Sequence, residues 1–194
     1  DLVSILTHAK LVRINKATQM VEPWLADSWS ASEDGRAFTL KLHPGVTFSD
    51  GQPLTADDVV FSFQAVYALG PEGPLGDALQ VEGRKLEVAA VDASTVSIVF
   101  PVSYAPGVRI LDNLPIFPKH RLEAALRAGK IHDAWGLSTP PSELAGLEPF
   151  RLAEMFGSYG KSARVPTLWI YAENDRYFAP RHVKSWHDAF RSQG

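Results

Sequence analysis

With no cysteine in the chain, disulfides, thiol nucleophiles and Cys-ligated metal sites are excluded, and chemistry would have to rest mainly on carboxylates, imidazoles or hydroxyls. The densest acidic stretch is V-T-F-S-D-G-Q-P-L-T-A-D-D-V-V-F-S-F, residues 46–63, which holds Asp50, Asp57 and Asp58. Carboxylates this close could ligate a hard cation or act as an acid–base pair. Each also has a purely structural reading. Asp50-Gly51 is a turn dipeptide. Thr55 stands where a helix would begin and Asp58 follows three positions later, a capping box with Asp in place of Glu or Gln. Asp57 and Asp58 fall in the first turn, where negative charge favours the positive end of the helix dipole. Turn, cap and dipole account for every acid, so the expectation is that they shape backbone and neither catalyse nor bind metal.

Other candidate groups are sparse. The histidines, His8, His43, His120, His132, His182 and His187, contain no i,i+4 pair and no H-E-x-x-H, so no helical metal site is expected. The glycines of G-P-E-G-P-L-G, residues 70–76, are not in G-x-G-x-x-G order and read as a loop rather than a phosphate cradle. No G-x-S-x-G nucleophile elbow occurs; Thr47-Phe48-Ser49-Asp50-Gly51 lacks the first glycine. Trp24 and Trp29 read as core residues. Trp135, in a loop before a Pro-rich stretch, and His8, after the short apolar start D-L-V-S-I-L, are the residues to watch for ligand contact. No cofactor is implied.

The elements that must position these groups are legible from periodicity. Residues 20–30, M-V-E-P-W-L-A-D-S-W-S, read as a short turn or helical stub with a buried apolar side. Asp34-Gly35 is a turn, after which Phe38, Leu40 and Leu42 alternate with Thr39 and Lys41 as in a half-buried strand. A helix follows Thr55, with Val59, Val60, Phe63, Val66 and Tyr67 on one face and an end near Gly70. Residues 85–100 read as a hairpin turning at Asp92-Ala93-Ser94, with Val96, Ile98 and Phe100 inward. A second helix starts near Lys119, presents Leu122, Ala125 and Leu126, and stops at Gly129. Residues 138–150 are turn-rich. Leu168 to Ala172 form a continuous apolar run ending in Asn174-Asp175, the pattern of a strand buried on both faces. A helix with Val183, Trp186, His187 and Phe190 on one side follows, with His187 as a satisfied core residue.

The whole has 194 residues, 45% of them hydrophobic and 21% charged, which is the balance of an ordinary globular protein. A net charge of −3 without a basic run argues against nucleic-acid capture. No apolar run approaches the ~20 residues that span a bilayer. The chain starts at Asp1 without a charged-then-apolar leader, so a signal peptide is expected to be absent or already removed.

Several ordered motifs carry a resemblance. E-P-W-L-A-D-S-W-S-A-S-E-D-G-R-A-F-T-L-K-L is similar to a P-x-L-A-x-S-W motif followed by an acidic-Gly turn and a strand. H-P-G-V-T-F-S-D-G-Q-P-L-T-A-D-D-V-V-F-S-F is similar to the signature G-V-x-F-x-D-G-x-P-x-T-A-x-D-V-x-F-S. L-P-I-F-P-K-H-R-L-E-A-A, A-W-G and S-T-P-P-S-E-L-A-G-L-E-P-F follow in order, the last with Glu148 where a Gly is usual. Residues 1 to about 152 thereby resemble the extracellular solute-binding proteins, family 5, of peptide, oligopeptide and nickel ABC importers. The resemblance implies an α/β fold with a mixed sheet, part of lobe I of a periplasmic-binding-protein-like architecture. It implies a small peptide or other small solute as ligand, a membrane ABC permease as partner, and a periplasmic or extracellular location. It also implies binding without catalysis, with the signature's acids as framework.

Residues 153–194 resemble instead the late strand and helix of α/β-hydrolases of the dienelactone-hydrolase kind. Carried over, Asp175 would be the acid of a nucleophile–acid–His triad, at the carboxyl end of its strand. Its nucleophile and its histidine are both missing, so the alternative is a hydrolase fragment or chimera without activity. A natural fusion, a designed chimera and a misassigned junction near 148–160 all remain open.

Overall fold

The computed structural model describes residues 9–69, 74–134 and 145–147, together with Lys184, His187, Asp188 and Arg191 in helical conformation. In chain order the elements are β1 (Val12–Ile14), β2 (Val21–Pro23), β3 (Ala26–Ala31), β4 (Ala37–Leu42), α1 (Ala56–Ala68), α2 (Pro74–Ala78), β5 (Gln80–Val81) and β6 (Arg84–Lys85). There follow β7 (Glu87–Asp92), β8 (Thr95–Val99), a 3-10 helix (Gly107–Asn113), α3 (Lys119–Arg127) and α4 (Ile131–Ala134). Four strands form one antiparallel sheet in the order β3-β4-β8-β7; β1 with β2, and β5 with β6, form two-stranded ribbons.

The alternation of β4 sets the sheet's inner face. Phe38, Leu40 and Leu42 are buried while Thr39 and Lys41 are exposed. Leu40 lies opposite Val96, and Phe38 opposite Ile98, so the same side of both strands is apolar. The turn before β4 uses Gly35 at φ 66°, a left-handed conformation that costs glycine little. The β7–β8 turn is held by Asp92, whose carboxylate accepts the Ser94 N–H at 2.7 Å.

Helix α1 packs against β7, β8 and α3. It is therefore buried well beyond the single face expected: Phe61, Ser62 and Ala65 are inside along with Val59, Phe63 and Val66. From its last turn, Tyr67 donates its hydroxyl to Leu79 O at 2.8 Å and accepts the Leu86 N–H at 3.1 Å, fastening the β5–β6 ribbon. Burial pushes the Tyr67 phenol above its usual range. Gly107, at φ 53°, would place a Cβ 3.0 Å from Phe38 Cζ, so the 3-10 helix starts where the chain needs both a left-handed residue and the absence of a side chain.

Three expectations change. Residues 20–30 are not a turn or helical stub: they contribute β2 and β3, because pairing with β1 and β4 supplies their backbone hydrogen bonds. The glycine-rich segment 70–76 is not all loop, since Pro74 opens α2 at a position where proline's missing N–H costs nothing. His187 is half-buried rather than a core residue, with Nδ1 3.5 Å from the exposed carboxylate of Asp188. The apolar run 168–172 and the strand assigned to it lie outside the described residues, and every strand pairing described is antiparallel.

Candidate functional site

The acidic stretch 46–63 folds into a tight turn and the N-terminal half of α1, and its three aspartates meet residues at the start of α3. The turn closes on itself: Gly51 N–H donates to Phe48 O at 2.9 Å and Phe48 N–H to Gln52 O at 2.8 Å. Gly51 supplies φ 88°, which is the reason for glycine after Asp50.

Asp50 uses both carboxylate oxygens. Oδ1 accepts the Gln52 N–H at 3.3 Å; Oδ2 lies 2.8 Å from His120 Nε2 and accepts Arg121 Nε–H at 3.0 Å. The Phe48 ring meets His120 edge-on, 5.4 Å between centroids. Burial pushes the Asp50 carboxyl up, but the hydrogen bonds from His120, Arg121 and the Gln52 amide outweigh it and hold Asp50 below the usual aspartate range. Asp57 is exposed and pairs with Lys119 Nζ at 3.1 Å, a surface contact of small energetic weight.

Asp58 is the buried member, only 4% exposed. Its Oδ2 accepts the Thr55 N–H at 2.9 Å and the Thr55 hydroxyl at 3.0 Å, forming the expected capping box. Its Oδ1 accepts the backbone N–H of Lys119 at 2.9 Å. One turn on, Ser62 donates to Asp58 O at 2.6 Å and accepts the Phe117 N–H at 2.8 Å. The start of α1 thus satisfies two backbone donors at the entrance to α3, which Pro118 leaves without a proline N–H of its own.

Chemically, a carboxylate beside an imidazole is the half of a triad that orients a base. Here that half leads nowhere. Asp50 Oδ2 is shared with Arg121, and the neighbouring hydroxyl, Ser49 Oγ, accepts the Gly146 N–H at 3.2 Å. Among the described residues no group of three or more His, Asp or Glu could hold a metal ion, and no helix is long and apolar enough to cross a membrane. The arrangement is a junction of backbone and charge, as the turn-and-cap reading of the aspartates anticipates.

His8, Trp135 and Asp175, the residues singled out from the sequence for ligand contact or as a hydrolase acid, all lie outside the described residues. What sequence reasoning missed is the partner set of the acids. His120 and Arg121 are 70 and 71 positions from Asp50, and no local pattern joins them.

Comparison with known proteins supplies the context. A family model for bacterial extracellular solute-binding proteins, family 5 middle region, matches residues 20–185. The dipeptide-binding protein of Escherichia coli (strain K12) is 31% identical over 189 residues, 87% of this chain and 35% of that protein. Di/tripeptide-binding protein 2 of Pseudomonas aeruginosa (strain UCBPP-PA14) is 30% identical over 172 residues, 81% of this chain and 30% of that protein. The crystal structure of the ABC transporter substrate-binding protein CtaP of Listeria monocytogenes superposes with a TM-score of 0.56 at 28% identity, covering 68% of this chain and 27% of that one. The chain therefore spans about a third of the length of these curated relatives, and its described elements form part of a periplasmic-binding-protein-like fold. The family match runs past residue 152 and through most of 153–194, the segment whose sequence resembles a hydrolase. That hydrolase resemblance, and the chimera it suggested, find no support in these relatives. With the match covering residues 20–185, the chain belongs to the bacterial extracellular solute-binding proteins of family 5.

Proposed function

We propose that this chain forms part of one lobe of the solute-binding component of an ABC importer, and that small peptides are its solute class. The family match over residues 20–185 carries the reading, and the similarity to a dipeptide-binding protein and a di/tripeptide-binding protein supports peptides as the solute. In this reading the ligand lies between two lobes, which close on it because only the closed state contacts it from both sides. The closed form is then presented to a membrane permease, outside the cytoplasm. His8 and Trp135 are the ligand contacts we propose on this lobe. No step of the work is catalytic, and the Asp50–His120 pair serves the framework.

A cleft with one wall gives a ligand about half its contacts, so affinity falls steeply. Titration with a mixture of di- to pentapeptides is expected to give no saturable heat at micromolar concentrations. At millimolar concentrations it is expected to shift the indole N–H resonance of Trp135. Micromolar saturation would refute the partial-lobe reading; an unchanged spectrum at millimolar peptide would refute peptides as the class. Hydrolysis of a p-nitrophenyl ester is expected at the same background rate for wild type and Asp175→Ala, since an acid without a nucleophile has nothing to orient. A rate that drops with the substitution would reinstate an enzyme.

A further inference from the structure

Two neighbouring residues of the tight turn hold two segments that are remote in sequence. Asp50 holds α3 through His120 and Arg121. Ser49, one residue earlier, holds residues 145–147: its N–H donates to Gly146 O at 2.8 Å, and its Oγ accepts the Gly146 N–H at 3.2 Å. Ala145 and Leu147, on either side of Gly146, are buried in the core. The turn between them is stiff, being closed by two backbone hydrogen bonds between Phe48, Gly51 and Gln52 and by the Asp50 carboxylate on the Gln52 amide.

We propose that Ser49 and Asp50 act as one two-point anchor, with Asp50 a positioning residue that sets the path of the chain at 145–147 through the stiff turn, its own carboxylate bonded to Gln52, His120 and Arg121. Pulling on α3 displaces the Asp50 carboxylate; the closed turn carries that displacement to the Ser49 amide and hydroxyl; and both of the Gly146 backbone bonds end there. The anchor thus couples α3 to residues 145–147. This goes beyond the solute-binding reading and does not depend on which solute is bound.

The test is amide hydrogen exchange and the 1H–15N spectrum of the whole chain. Asp50→Ala is expected to shift the Gly146 amide cross-peak and speed its exchange about three- to tenfold, the range of one lost hydrogen bond. Ser49→Ala is expected to do the same at Gly146 and, through the turn, to speed exchange at the Leu122 amide. Asp57→Ala, which removes the Lys119 ion pair from α3 but leaves the turn intact, is expected to leave Gly146 unmoved and is the control for mere loosening of the helix. Asp50→Asn retains one carbonyl oxygen for Arg121 and is expected to fall between wild type and Asp50→Ala, which keeps the test usable should the alanine variant fail to fold. Effects confined to α3 in the Asp50 variants and to 145–147 in Ser49→Ala would overturn the proposal, as would a Gly146 response to Asp57→Ala equal to that of Asp50→Ala.

Discussion

Asp57 and Asp58 are adjacent in sequence, carry the same formal charge in the same helical turn, and are predicted to differ severalfold in what they contribute to stability. Replacing Asp58 with Ala removes an acceptor from the Thr55 N–H, the Thr55 hydroxyl and the Lys119 N–H, all within 3.0 Å of it. Loss of a capping residue costs about 0.5–2 kcal/mol. An amide left without its acceptor at the part-buried Lys119 position adds about 1–3 kcal/mol. The expected cost of Asp58→Ala is therefore about 2–4 kcal/mol. Asp58→Asn is expected to be nearly as costly, since one of the two oxygens becomes an NH2 group that must face a donor. Asp57→Ala loses one exposed ion pair and a favourable dipole interaction, under about 1 kcal/mol together. Urea unfolding followed by tryptophan fluorescence, with the slope m held common, reads the difference directly. If the two alanine variants lie within about 1 kcal/mol of each other, the assignment of Asp58 as a two-sided backbone clamp is wrong.

Two further outcomes follow from the geometry. Gly107→Ala is expected to destabilise by about 2–4 kcal/mol, since an L side chain at positive φ costs about 1–2 kcal/mol and displacing the packed Phe38 ring costs as much again. Gly45→Ala, at φ 77° with nothing within 4 Å of the added Cβ, is expected to show the backbone cost alone; equal losses in thermal or urea unfolding would refute the Phe38 clash. Asp50 is held below the usual aspartate range when folded, so its contribution is fully present above the unfolded pKa of about 4 and is lost as pH falls through the folded value. The stability gap between wild type and Asp50→Asn is expected to shrink progressively as unfolding is measured below about pH 4. A gap that widens on acidification would reverse the sign of the argument.

The parts of the fold that were legible in sequence are those whose cause is local. The capping box Thr55–Asp58, the alternation of Phe38, Leu40 and Leu42, the Asp92 turn and the Gly129 stop all formed because neighbours within a few positions determine them. Residues 20–30 read as a turn or helical stub because Pro23 and the irregular polar–apolar order around it hide period-2 alternation. Their strand conformation comes from partners, β1 before and β4 after, and pairing energy overrides local pattern. The same reason hid the partners of the acids. That Asp50, Asp57 and Asp58 shape backbone could be argued from turn and cap chemistry. That all three meet residues 119–121 could not, because two elements separated by some 60–70 positions carry no shared periodicity. The resemblance of 1–152 to solute-binding proteins rested on motifs read in order and agrees with the family match. The hydrolase resemblance of 153–194 rested on a strand pattern ending in Asn-Asp, which many α/β sheets share, and had no nucleophile to confirm it.

The distribution of the acids explains why a stretch so rich in carboxylates reads as framework rather than as a site. A general acid or base needs an oxygen left for substrate, and a nucleophile's base needs a ring nitrogen that faces the nucleophile. At this junction the oxygens of Asp58 are taken by Thr55 and Lys119, and those of Asp50 by Gln52, His120 and Arg121. Each bond joins a residue of the 46–63 stretch either to its own turn or to the entrance of α3. Opening the Asp58 oxygens to a substrate would uncap α1 or free the Lys119 amide, and opening Asp50 Oδ2 would release His120 and Arg121 of α3, so catalysis through them would have to dismantle the element that positions it. A framework junction has the opposite requirement: the elements it joins must keep their spacing. Saturating the carboxylates with internal donors meets that requirement, and it assigns to the acids the task of holding α1, α3 and the chain near residue 146 in one arrangement.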